Sequence, residues 1–120
     1  MRKLGASVEK RLRALKSLHD AGLFTYVFIG PIMPYVTDWK GIIEATCSHV
    51  DEYVFENLNI KGSVWQDISK WLKQKHPELY DKYYEIYFGD SDYWEMEEKR
   101  IGHFCKEKGI NNRIYFHHGQ

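Results

Sequence analysis

Apolar and polar positions along this chain change period several times, and each change marks an element. Val8, Leu12, Leu15, Leu18 and Ala21 recur at helical spacing, predicting a helix over Ser7 to Ala21 with Ser7 as N-cap and Gly22 just past its end. A short apolar run, Leu23 to Ile29, reads as a strand ending in Gly30-Pro31-Ile32-Met33-Pro34. Its unbroken apolar character predicts cover on both faces. A second helical pattern, Asp38 to Val50, is opened by Thr37 or Asp38 and turns Trp39, Ile42, Ile43, Thr46, Cys47 and Val50 inward. A second strand, Glu52 to Leu58, carries a polar tip of Glu56, Asn57 and Asn59.

Strand, helix, strand at this spacing predicts a crossover with parallel strands whose tips emerge on one side. Further on, Ser63 and Gln66 match a capping box ahead of the stripe Val64, Ile68, Trp71 and Leu72. His76-Pro77 interrupts it, with Pro77 suited to a first turn. Leu79, Tyr80, Tyr83, Ile86 and Tyr87 predict a fourth helix ending at Gly89. Ser91-Asp92 opens a fifth that ends at Gly109, and Arg113 to Phe116 forms a last strand. The predicted order is α-β-α-β-α-α-α-β in a single α/β domain over residues 1–120. It implies about three parallel strands with helices, either a fragment of a partial (β/α) barrel or half of a doubly wound sheet. Both leave an edge or a face to be covered, so association with itself or with another chain is expected.

The chain has 120 residues with 17 basic and 17 acidic side chains, which argues against a strongly electrostatic nucleic-acid surface. The charge is uneven: Arg2, Lys3, Lys10, Arg11, Arg13 and Lys16 crowd the start, while Lys82 is the one basic residue between Glu78 and Glu98. Cys47 and Cys105 fall on apolar sides of helical patterns and read as buried thiols. No disulfide framework, signal-peptide core or membrane-length apolar run is present, so a reducing cytoplasmic setting is expected.

The segments Ser7 to Leu12, Leu15 to Gly22, Tyr26 to Pro34 and Glu56 to Asn59 resemble radical S-adenosylmethionine proteins. The nearest branch is the one related to spore photoproduct lyase, often labelled DNA-repair photolyase-like, and the match corresponds to the later strands of that family's partial barrel. The family's Cys-x3-Cys-x2-Cys loop, whose thiolates hold a [4Fe–4S] cluster, is absent from this sequence. The resemblance therefore implies the carboxyl-terminal part of such an enzyme, with S-adenosylmethionine and the cluster belonging to the parent. Neither is expected to bind stably to this chain alone. In the parent, the cofactor's radical abstracts hydrogen from substrate. By resemblance, Gly30, Pro31, Ile32 and Met33 form an adenine-side segment, with Pro34 where the family has a second glycine, and Glu56, Asn57 and Asn59 form the neighbouring tip. Asn57 and Asn59 are expected on the face of Tyr53 and Phe55, and Glu56 on the other.

Each feature has a plainer alternative. Gly30 to Pro34 also reads as an ordinary turn, and Asn57 or Asn59 as a cap for the next helix. Trp65 either packs or lines a channel. The aromatic group Tyr80, Tyr83, Tyr84, Tyr87, Phe88, Tyr93 and Trp94 suits base stacking, but its acidic surroundings oppose phosphate. His103, Cys105, His117 and His118 lack two clear zinc-ligand pairs. No phosphate loop, nucleophile elbow or HExxH motif is present. No catalytic residue is assigned, and the competing reading is a non-catalytic binding or assembly module that pairs with itself or with a separate cluster-bearing chain.

Overall fold

A computed structural model describes residues 6–116, with side chains from residue 9 onward. The elements are α1 (Ala6–Asp20), β1 (Tyr26–Ile32), α2 (Trp39–Thr46), β2 (Glu52–Asn57), α3 (Val64–Lys75), α4 (Tyr80–Phe88), α5 (Tyr93–Lys108) and β3 (Asn112–Tyr115). Two 3-10 turns intervene, at Cys47–His49 and Pro77–Leu79. This is the predicted mixed α/β order. The three strands make one open sheet, β1-β2-β3, parallel at both junctions.

The sheet is covered on one face. Ile29, Ile32, Tyr53 and Phe55 pack with Trp39 and Ile43 of α2 and with Trp94, Ile101 and Cys105 of α5. Side chains alternate along a strand, so the intervening residues face the other way. There Tyr26, Phe28, Arg113 and Tyr115 are exposed, while Val54 and Glu56 are half-buried. The register sets Phe28 beside Val54 and Val54 beside Arg113, and pairs Glu56 with Tyr115. The expectation of a first strand covered on both faces is corrected: its apolar run includes aromatic rings on the uncovered side.

The strand also lies further along the chain than its apolar run. Leu23 and Phe24 precede it and are exposed. Thr25 anchors its start, with its backbone N–H donating to Asp51 Oδ2 at 2.7 Å and its Oγ1 donating to the His49 carbonyl at 2.6 Å. Pairing continues through the glycine–proline pair expected to end it. Ile29 lies opposite Phe55 and Ile32 opposite Asn57, so three steps on β1 match two on β2. That is a bulge, and the Gly30–Pro31 peptide within it is cis. Pro31 has no N–H to give, which an outer strand tolerates.

Helix ends follow local chemistry. Gly22, at φ 83°, lets Leu23 N–H reach the Leu18 carbonyl at 3.1 Å and close α1. Asp38 caps α2, its Oδ1 accepting from Gly41 N–H at 3.0 Å, whereas Thr37 Oγ1 accepts from Met33 N–H at 2.8 Å. Gly109, at φ 68°, ends α5. Two expected caps differ. α1 already includes Ser7, and Ser63 makes no side-chain cap bond, so the Ser63–Gln66 box is not formed. Cys47, expected inside, is exposed in the 3-10 turn because α2 ends at Thr46; Cys105 is buried. Among the described residues, no helix is long and apolar enough to cross a membrane.

Candidate functional site at the strand tips

Both crossovers in the sheet bring strand exits to one end, where parallel α/β sheets hold their ligands. The exits of β1 and β2 are tied together: Leu58 N–H donates to the Ile32 carbonyl at 3.1 Å. α4 then braces each exit. Tyr83 OH donates to the Pro34 carbonyl at 2.7 Å, and Tyr87 OH to the Leu58 carbonyl at 2.8 Å. Around them Leu58, Leu72 and Tyr83 form a second apolar cluster with Met33, Trp65 and Ile68. Burial pushes the Tyr83 and Tyr87 hydroxyls well above their ordinary pKa, so both remain neutral donors. Tyr93 is pushed up to about 12, by burial first and by the neighbouring Glu97 charge second.

The structure divides the expected site residues into three groups. Gly30, Pro31 and Glu56 meet at the bulge: Gly30 and Pro31 are exposed, and Glu56 is half-buried on the open face. A Cβ at Gly30 would come within 2.9 Å of the Phe28 ring and 3.3 Å of Glu56 Cβ. With no side chain on Gly30, the Phe28 ring packs directly against its backbone, beside the Glu56 side chain. Ile32 and Asn57 are enclosed on the helix-covered side, at 0% and 2% exposure. Met33 and Asn59 are on the loops beyond. Met33 packs in the second cluster, and Asn59 Oδ1 accepts from Lys61 N–H at 3.1 Å in an Asx turn. Asn57 therefore shares the face of Tyr53 and Phe55 as expected, whereas Asn59 does not, because the strand ends at Asn57.

At the bulge Phe28 presents an exposed apolar ring, and Glu56 a carboxylate that can accept hydrogen bonds. An iron–sulfur cluster does not fit. Three thiolates are required; Cys47 sits in the turn before β2, at the opposite end of the sheet, and Cys105 is buried on the inner side of α5. Among the described residues, no three His, Cys, Asp or Glu side chains are grouped to hold a metal. Of the zinc candidates, His103 is exposed on α5, and His117 and His118 lie outside the described residues.

The aromatic group splits in two. Tyr83 and Trp94 are buried and Tyr87 half-buried, while Tyr84 and Phe88 are exposed. Trp65 packs on that outer set, 5.1 Å from Phe88 and 6.2 Å from Tyr84 between centroids. Sequence reasoning missed Glu97, which is 4% exposed and accepts from Trp39 Nε1 at 3.0 Å and from Arg100 Nε at 3.0 Å. Its signal was present: it sits three residues after Trp94 and four before Ile101, on the inward side of α5.

Comparison with known proteins gives relatives without an assigned activity. The chain is 41% identical over 75 residues to an uncharacterized protein of Methanocaldococcus jannaschii, covering 62% of this chain and 28% of that protein. It is 28% identical over 103 residues to uncharacterized proteins of Mycobacterium bovis and Mycobacterium tuberculosis, covering 78% of this chain and 30% of each. No family model and no solved structure matches. The matched segment thus spans less than a third of the length of these curated relatives.

Proposed function

We propose that this chain is the carboxyl-terminal part of a radical S-adenosylmethionine enzyme of the spore photoproduct lyase-related branch. It contributes the adenine-side wall and one side of the substrate cavity to a half that carries the cluster. The observation that carries the reading is the one-sided sheet. Helices cover the face of Tyr53 and Phe55, and the face of Phe28, Glu56 and Tyr115 is left open at the strand tips. In a (β/α) barrel the helices lie outside and the opposite face lines the interior. The three strands are, in this reading, later strands of a partial barrel.

Bound S-adenosylmethionine would supply hydrogen-abstraction chemistry. This chain's own residues position and shield. Gly30 and Pro31 would present backbone to the adenine, Phe28 would supply apolar contact, and Glu56 would accept from its amine or from a ribose hydroxyl. Ile32 and Asn57 brace the same tip from behind, and Met33 and Asn59 shape the loops above it. The cluster ligands come from another segment or chain, and the isolated chain is not catalytically competent.

The upstream reading frame provides the test. It is expected to encode Cys-x3-Cys-x2-Cys together with the missing strands. Coexpressed with this chain, reconstituted anaerobically and reduced with dithionite, the pair should release 5′-deoxyadenosine from S-adenosylmethionine. An upstream frame without the loop, or a cluster-loaded pair that yields no 5′-deoxyadenosine, overturns the reading.

A further inference from the structure

We infer that two copies of this chain associate through α1 of each and α4 of the other. The inference rests on surfaces away from the bulge in β1 and does not depend on the cofactor reading. α1 presents Lys10, Arg11, Arg13 and Lys16 to solvent, with Lys16 partly engaged by Asp20 at 3.5 Å. Leu12 and Leu15 of its apolar stripe are half-buried, but the end of the stripe is open. α1 lies mainly against the turn Cys47–His49, where the His19 and His49 rings are 5.9 Å apart, and Leu18 remains 47% exposed. α4 has the complementary character. Tyr84 and Phe88, each 51% exposed and 4.9 Å apart, form an outward aromatic strip with Trp65. Asp81 and Glu85 on the same helix are exposed, as are Glu78, Asp90 and Asp92 just before and after it in sequence, Glu78 lying 3.6 Å from His76. The nearby cations are turned to rings, Lys82 over Tyr35 at 4.9 Å and Lys73 over Tyr80 at 5.0 Å.

A basic helix with an unpaired leucine edge and an acidic helix with exposed rings match in charge and in apolar content. Exposed ion pairs are weak singly, so burial of Leu18 against Tyr84 and Phe88 supplies adhesion, and the charges set orientation. Position completes the argument. α1 enters the sheet at the start of β1, whereas α4 holds the ends of β1 and β2. A two-fold axis across the strands therefore makes the α1–α4 contact twice in one closed dimer.

The test is sedimentation equilibrium of the full chain at low salt. The wild-type chain should dimerise at micromolar concentration and weaken as salt rises. Lys10→Glu/Arg11→Glu and Asp81→Lys/Glu85→Lys should each weaken self-association at least tenfold. Mixed one to one, the two variants should form a heterodimer, because each then meets the opposite charge at both contacts. Circular dichroism checks folding, and Arg13→Glu/Lys16→Glu replaces the first variant if it loses helix. A 14.3 kDa monomer at every concentration, reversal without effect, or no heterodimer on mixing would each overturn the inference.

Discussion

Trp39 Nε1 donates to Glu97 Oε2 at 3.0 Å, joining the first turn of α2 to the inner side of α5 across 58 positions of sequence. Arg100, one turn along α5, holds the other oxygen. A carboxylate this enclosed depends on its donors, because a buried charge left without them is costly. Trp39→Phe should lower stability by about 1–3 kcal/mol, and Glu97→Gln, which keeps an acceptor for the indole, by less. Urea denaturation followed by circular dichroism gives both values. A Glu97→Gln loss larger than that of Trp39→Phe would show that the charge matters more than the indole bond at this site.

The inner tyrosines make the fold sensitive to alkali. Tyr53, Tyr83, Tyr87 and Tyr93 all have hydroxyls raised above the ordinary value of 10.0, chiefly by burial, and Tyr93 reaches about 12. The folded chain therefore holds protons that the unfolded chain releases. The stability this represents is complete below pH 10 and declines as pH rises through about 12. Tyrosinate absorbance near pH 11 should lag behind that of the urea-unfolded chain and jump when helical dichroism is lost. Superimposable native and unfolded titrations would contradict the burial argument.

Asn57 and Gly30 should separate bracing from contact. Asn57→Ala, on the enclosed side, should cost on the order of 1 kcal/mol of stability. Gly30→Ala asks only that the half-exposed Phe28 ring give way, so the denaturation midpoint should move little. Joined to a cluster-bearing half, however, Gly30→Ala should weaken S-adenosylmethionine binding about tenfold, because the methyl pushes the Phe28 ring out of its place on the open face. Unchanged affinity would remove Gly30 from the cofactor wall.

The two thiols should react on different timescales. Cys47, in an exposed turn, should be titrated by a disulfide reagent in the native chain, while Cys105 should react only on unfolding. Burial also raises the Cys105 pKa, which lowers its thiolate fraction further. Two thiols reacting at one rate in the native chain would place Cys105 outside the core.

Element order, parallel pairing and the stripe of α3 were legible because their periods are long and their breakers, Gly22, Pro77 and Gly109, are chemically plain. The end of β1 was not. Gly30-Pro31 is a stop signal in sequence, and only its place on an outer strand allows pairing to continue. The sides of Asn57 and Glu56 followed from alternation, but Asn59 lay beyond the strand, where that rule lapses. Glu97 was hidden by its charge: its spacing marked it as inward, and its residue type argued for solvent. The tyrosines of α4 gave a helical stripe with no hint that their hydroxyls reach across to the strand exits, since hydrogen bonds spanning 49 and 29 residues leave no local trace.

Those two hydroxyls make α4 a gauge. Tyr83 and Tyr87 are four residues apart on one helix, and a helix advances about 1.5 Å per residue. The carbonyls they grip, one beyond β1 and one beyond β2, are thus held to a spacing dictated by helical pitch. The spacing of the two exits is then inherited from backbone geometry that side-chain substitution scarcely alters. Anything that spreads the exits has to shift or unwind α4 as a unit, and both exits would yield together.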